Sequence, residues 1–196
     1  EAEHLFIPKT AFVPQEEART FHIAAPDYMN TQFFTEVIAR LRRESPKSHI
    51  VIHALGPETD YVRLLSDGEL DLVIANWDEM PEHLHMSKLF DDPIVCLMRS
   101  DCAYAKRTAR DAMTIEDYLS LPHAAPSQIL PGYHGTIDTF LEKQNLRRNI
   151  VVESAHFRML PYMVEKTDLV LTAGQQFTSF YAVSYTHLRA HETPEH

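Results

Sequence analysis

Apolar and polar positions follow a regular grammar from residue 20 onward. Residues 20–25 (TFHIAA) and 49–55 (HIVIHAL) are mostly apolar runs of strand length, and between them Phe33, Phe34, Val37, Ile38 and Leu41 recur at helical spacing. Asn30 or Thr31 is placed to cap that helix, and Glu44, Ser45 and Pro46 stop it. A second helix is expected over 58–66, with Tyr61, Val62, Leu64 and Leu65 apolar and Gly68 as its terminating glycine. Residues 70–75 follow as a third strand whose only polar side chain is Asp71. This β-α-β-α-β succession, with strands that are apolar nearly throughout, predicts a parallel sheet covered on both faces, with 70–75 as a central strand.

Two more strands are expected over 85–90 and 93–99, separated by Asp91 and Asp92, with a polar, irregular crossover at 100–106. The grammar then restarts. Helices are expected at 114–119 (capped by Thr114), 135–144, 157–165 (despite Pro161) and from 175, with strands at 122–125, 149–153 and 169–172. The fold class is therefore α/β, as two lobes over residues 19–98 and 99–183. Residues 1–18, with Pro8 and Pro14, read as a linker. Residues 184–196 (SYTHLRAHETPEH) carry three His, no apolar period and a late Pro, and read as a non-native tail like translated adaptor sequence. The second lobe is then expected to be incomplete.

Composition narrows the function classes. A chain of 196 residues that is 44% hydrophobic has enough apolar material for one ordinary domain or two small ones. No apolar run reaches the roughly 18 residues of a membrane helix. The start (EAEHLFIPKT) has neither the basic nor the apolar region of a signal peptide. Cys96, inside IVCLM, reads as a buried thiol, and with Cys102 it makes no disulfide framework, so a cytoplasmic location is expected. A net charge of -10 argues against nucleic-acid binding by this chain itself. The basic groups Arg40, Arg42, Arg43, Arg147 and Arg148 lie near helix ends, where they complement the helix dipole.

No nucleophile elbow, P-loop or dinucleotide fingerprint is present, and no cofactor is expected. His191 and Glu192 imitate the start of a zinc-protease helix, but position i+4 is Glu195 and Pro194 disfavours the helix. His83 and His85 share one side of an expected strand with no Cys or carboxylate to complete a metal site. Nothing places Cys102 beside a His as a nucleophile pair. Strand ends are more informative, because open α/β sheets bind ligands beyond the carboxyl ends of their strands. Asn76 and Trp77 sit at such an end, and so does the loop of residues 26–31. In LPGYHGTID, His134 and Gly135 stand where a helix begins, and in ESAHFRM so does His156. Helix starts offer N–H groups and partial positive charge to a carboxylate or nitro group, and Phe157 or Trp77 can stack on an aromatic one. The same histidines read equally as local caps or packing.

The succession ARTFHIAAPDYM, LLSDGELDLVIAN, KLFDDPIVCLMRSD, MTIEDYLSLPH, PGYHGTIDTFLEKQNLRRNIVVESAHF and TDLVLTAG resembles the effector-binding domain of LysR-type transcriptional regulators, in the NahR/NodD-like branch that answers aromatic compounds and flavonoids. The likeness runs from about Phe12 to Tyr181. It implies two Rossmann-like lobes in a fold like type-2 periplasmic binding proteins, with a small aromatic or carboxylate inducer in an interlobe cleft. It implies a homo-oligomer (dimer or tetramer) that contacts DNA only through an N-terminal winged helix-turn-helix outside this chain, residues 1–18 being the remnant of a linker helix. It places Asp27, Met29, Asn30, Thr31, Asn76 and Trp77 on the first-lobe wall of the pocket, and His134 with Gly135 and His156 with Phe157 on the second. Catalytic residues and membrane contact are not implied. Cys102 and Ala103 replace the His-Pro usual after the Arg-x-Asp of Arg99 to Asp101, which departs from the family at the crossover. An extracytoplasmic solute-binding protein, or an aromatic-acid dehydratase-like enzyme, would share this architecture.

Overall fold

The computed structural model of the chain describes residues 12–29, 31–55, 59–76, 83–107, 113–127, 135–184 and 188–192. Those within 1–26, 31–55 and 59–81 form one compact unit, and those within 27–30, 56–58 and 82–196 form a second.

The first unit is a three-stranded parallel sheet in the order β2-β1-β3. β1 (Thr20–Ala25) lies between β2 (His49–Ala54) and β3 (Leu72–Val73). α1 (Thr31–Glu44) and α2 (Tyr61–Ser66) return the chain between strands. α2 starts later than the apolar pattern suggested, because Asp60 caps it by accepting the Arg63 amide at 3.0 Å. Gly68, at φ +73°, turns the chain out of the helix in a conformation that other residues adopt only with strain.

Residues 70–75, expected as a central strand, give only a two-residue edge strand. Asp71 supplies the reason. Its carboxylate accepts the His22 amide at 2.8 Å and takes Arg19 at 3.2 Å, so a side chain stands where a ladder carbonyl would be. The expected cover on both faces is also missing here. Ile52 and Leu72, which flank Ile23 in register, remain 46% and 48% exposed.

The second unit is a five-stranded sheet in the order β6-β5-β7-β4-β8. β4 (Ile94–Arg99) leads to α3 (Ala103–Arg107) and α4 (Ile115–Ser120). β5 (Pro122–Pro126), α5 (Thr136–Lys143) and β6 (Asn149–Ser154) follow, then a 3-10 turn (Phe157–Met159) running into α6 (Leu160–Lys166). β7 (Val170–Gly174), α7 (Gln175–Ser184) and β8 (Leu188–Glu192) complete it. β5, β6 and β7 are parallel, whereas β4 runs antiparallel to both β7 and β8. Both faces are packed. Leu97, Ala124, Leu160, Val164, Leu171 and Phe177 fill one, and Cys96, Met98, Tyr104, Tyr118, Leu141 and Val170 the other. Pro161 sits in the first turn of α6, where its missing N–H costs nothing.

Several expectations are corrected here. The lobe boundary at 98/99 falls inside β4, which belongs to the second sheet. Residues 85–90 form no strand; they are exposed along their length and gain no ladder partner to fix them. Residues 103–107, expected to be irregular, are helical: the Cys102 Sγ accepts the Ala105 amide at 3.4 Å, and Tyr104 and Ala105 bury their side chains. Residues 184–196, expected outside the fold, contribute Ser184 to α7 and Leu188–Glu192 to the sheet.

His123 is wholly buried on β5, a titratable residue in an apolar strand. Its Nε2 lies 2.7 Å from the Tyr118 carbonyl, which only accepts, so the ring proton sits on Nε2. Burial drives the ring's pKa well below the ordinary value, to about 4, and the nearby Arg148 guanidinium adds to the effect. Arg148 is itself locked to Asp138 by two hydrogen bonds of 2.7 Å.

Two outcomes are expected. Leu171→Ala, which empties a fully buried position, lowers unfolding free energy by about 2–5 kcal/mol in urea titrations. The neutral His123 ring contributes stability that is complete above the unfolded-chain pKa near 6.5 and lost as pH falls toward 4. Over that window urea titrations show a loss of about 3 kcal/mol, which His123→Gln flattens because Gln donates the same hydrogen bond without taking up a proton.

Candidate functional site

The three parallel strands of the second sheet deliver three chain exits to one edge. β5 and β6 are tied there by the Ser127 amide donating to the Ser154 carbonyl at 3.0 Å. β6 exits through His156, whose backbone amide donates to the Ser154 Oγ at 3.0 Å and whose carbonyl accepts the Met159 amide at 3.0 Å. These two bonds start the 3-10 turn and leave the His156 side chain exposed. Gly135 is the N-cap of α5 and offers it no side-chain cap, although its carbonyl accepts the Thr139 amide at 2.9 Å. The first turn of α5 thus presents amide donors at this edge.

The third exit is filled from within. β7 ends at Gly174, and the Asp92 Oδ1 accepts the Gln176 amide at 2.9 Å while the Pro93 carbonyl accepts that of Gln175 at 2.8 Å. A Cβ at residue 174 would collide with the Asp92 carboxylate, so glycine is required for the contact rather than for its backbone angles. The start of α7 already holds an anion, supplied by the chain.

Phe157 continues the His156 exit into an aromatic row. Its ring lies 5.1 Å from Tyr28 and 4.9 Å from Phe177, and Phe177 lies 5.0 Å from Tyr181. Burial, and then the neighbouring Tyr162, push the Tyr181 hydroxyl's pKa up, so it stays a neutral donor. The turn after β1 joins this row, because residues 27–29 pack with the second unit. Arg158 donates from Nε to the Asp27 carbonyl at 2.7 Å and from Nη2 to that of Met29 at 3.4 Å. Met29 is buried, and Asp27 is exposed.

Among the candidate residues, Asp27, Met29, Gly135, His156 and Phe157 therefore belong to one unit. Thr31, at the start of α1, and the exposed Asn76, after β3, belong to the other. Asn30, Trp77 and His134 lie outside the described residues. Sequence reading missed Asp92, Gly174 and Arg158. The Asp-Asp-Pro before β4 and the Gly before α7 were visible, but nothing linear joins them. Among the described residues no three His, Cys, Asp or Glu side chains converge as a metal site requires. No described helix is long and apolar enough to cross a membrane. A cavity of about 400 Å³ opens at the opposite edge of the sheet, lined by Arg99, Asp101, Cys102, Lys166, Thr167 and Asp168 among others. Its cations are engaged, Arg99 by Asp101 at 2.7 Å and Lys166 by Glu165 at 3.3 Å, and the strand exits described above carry more chemistry.

A family model described as the LysR substrate binding domain matches residues 14–176. The HTH-type transcriptional activator NagR of a Ralstonia species is 26% identical over 86% of this chain and 54% of its own length. Nodulation protein D 1 of Bradyrhizobium japonicum is 29% identical over 94% of this chain and 55% of its own length. The chain thus spans about half the length of these relatives. Among solved structures, the BenM effector binding domain with its effector benzoate superposes with a TM-score of 0.71 at 9% identity, over 90% of this chain and 78% of that one, a likeness of fold.

The α7 anchor generates a prediction. Asp92→Ala removes a cap and costs about 1 kcal/mol, and Gly174→Ala costs about 1–3 kcal/mol through the clash. Because both act on one contact, urea titrations of the double variant give less than the sum.

Proposed function

The chain belongs to the LysR substrate-binding domain family, and on that premise we propose that it is the ligand-sensing part of a transcription regulator. Its effector is a small aromatic or carboxylate compound, and DNA is contacted by a part of the regulator outside this sequence. A chain of net charge -10 is suited to sensing and poorly suited to holding DNA. The regulator acts in the cytoplasm as a homo-oligomer. Ligand shifts the population of conformations and so changes how the oligomer engages its operator. The function is binding without turnover.

One observation carries the ligand class: the exposed His156 stands at the strand edge where α5 begins without a side-chain cap, beside the row Tyr28–Phe157–Phe177. The amides and the imidazole suit a carboxylate, and the rings suit an aromatic body. Benzoate in the BenM domain, which shares the fold, is of this chemistry. His134 is proposed as a second histidine of the pocket from its place in the sequence. Asn30, Thr31, Asn76 and Trp77 are proposed to contribute from the loops after β1 and β3.

Calorimetric titration with benzoate and hydroxybenzoates tests this. Saturable binding is expected, weakened at least about tenfold by His156→Ala, as removal of a charged hydrogen bond requires. Heat that does not saturate across the whole series sinks the ligand class. Chemical conversion of a bound compound, seen by NMR, replaces sensing with catalysis.

A further inference from the structure

Residues 27, 28 and 29 are each received by the adjacent pair Phe157 and Arg158, about 130 residues further along the chain. The Asp27 and Met29 carbonyls accept from two nitrogens of one guanidinium, and the Tyr28 ring between them packs on Phe157. Met29 is buried, so the turn is anchored by a side chain as well as by its backbone. We propose that Arg158 is the positioning residue of this site: its guanidinium fixes the turn after β1 in the second unit and thereby sets the rim that a ligand meets.

The chemistry favours arginine specifically. A guanidinium holds its N–H donors in one rigid plane, so two carbonyls two residues apart are taken by one side chain without ordering a second. A lysine ammonium reaches the same place on a flexible stem and fixes direction less well. Arg158 also donates to the Tyr181 hydroxyl oxygen, so the same group links the turn to α7 and the far end of the aromatic row. Arg158 is exposed, so its worth to global stability is small and its effect is local. His156 and Phe157 precede it directly, so a ligand that presses on either moves the backbone carrying the guanidinium. The turn is then the element whose order reports occupancy. This last clause rests on the ligand reading above, whereas the fixing of the turn does not.

The test compares the full chain with Arg158→Ala and Arg158→Lys by hydrogen exchange, thermal melting and titration with benzoate and hydroxybenzoates. Amide exchange at residues 27–29 is expected to quicken about tenfold or more in Arg158→Ala, with β6, α6 and the melting temperature near the wild type. Lys is expected to recover part of the protection. Where the wild type binds a compound, Arg158→Ala binds it several-fold more weakly and Arg158→Lys lies between the two. Unchanged exchange at 27–29 overturns the proposal. So does quickened exchange throughout the second unit with a lowered melting temperature, because that marks a merely structural residue. If no compound binds any of the three proteins while residues 27–29 still lose protection in Arg158→Ala, the positioning role stands and the ligand class falls.

Discussion

The pairing of β4 with β7 is the interaction on which the second unit rests. The two strands run antiparallel with Leu97 opposite Leu171 and Cys96 opposite Thr172. Alternation along each strand sends Leu97, Leu171 and Ala173 to one core and Cys96, Met98 and Val170 to the other. One ladder therefore feeds both faces of the sheet. A polar thread crosses the second core at the same place, where the Thr172 hydroxyl meets the Tyr118 hydroxyl at 2.9 Å and the Cys96 sulfur at 3.8 Å. Burial pushes the Cys96 thiol up to about 12, despite the opposing Thr172 bond, so it is a packing group and not a reactive one.

The strand edge follows from that arrangement. With β7 fixed by β4, the parallel partners β5 and β6 must release the chain at the same end as β7. Helix starts collect there for a topological reason, and their amides give an otherwise acidic chain an edge that favours anions. The starts of α5 and α7 differ in chemistry. Asp92 neutralises the start of α7 and ties the entrance of β4 to it, whereas Gly135 gives α5 no side-chain cap and the Asp138 carboxylate in its first turn is paired with Arg148.

Much of this was legible along the chain. The strands at residues 20–25, 49–54 and 149–154 and the helix at 31–44 appeared within a residue or so of their expected limits, because their apolar patterns are clear and a stop such as Pro46 is chemically explicit. The errors cluster where a local pattern depended on a distant neighbour. Residues 85–90 are of strand length but join no ladder. Residues 100–106 look polar, yet the burial of Tyr104 and Ala105 makes part of them a helix. The end of the chain lacks an apolar period, yet β4 offers it a free edge. The packing of Phe157 between Tyr28 and Phe177 was likewise invisible along the chain.

Sequence by itself determined the class of fold, the order of most elements, and the strand-to-helix positions at which Gly135 and His156 stand. These depend on periodicity and capping, which act within a few residues. Only the tertiary structure decided that β4 serves the second sheet, that β3 is an edge, that Asp92 fills the start of α7 and that Arg158 holds the turn after β1. Each is a contact between groups far apart in the chain. Its free energy comes from burial and hydrogen bonds formed only once the sheets exist, and no local preference of either partner encodes it.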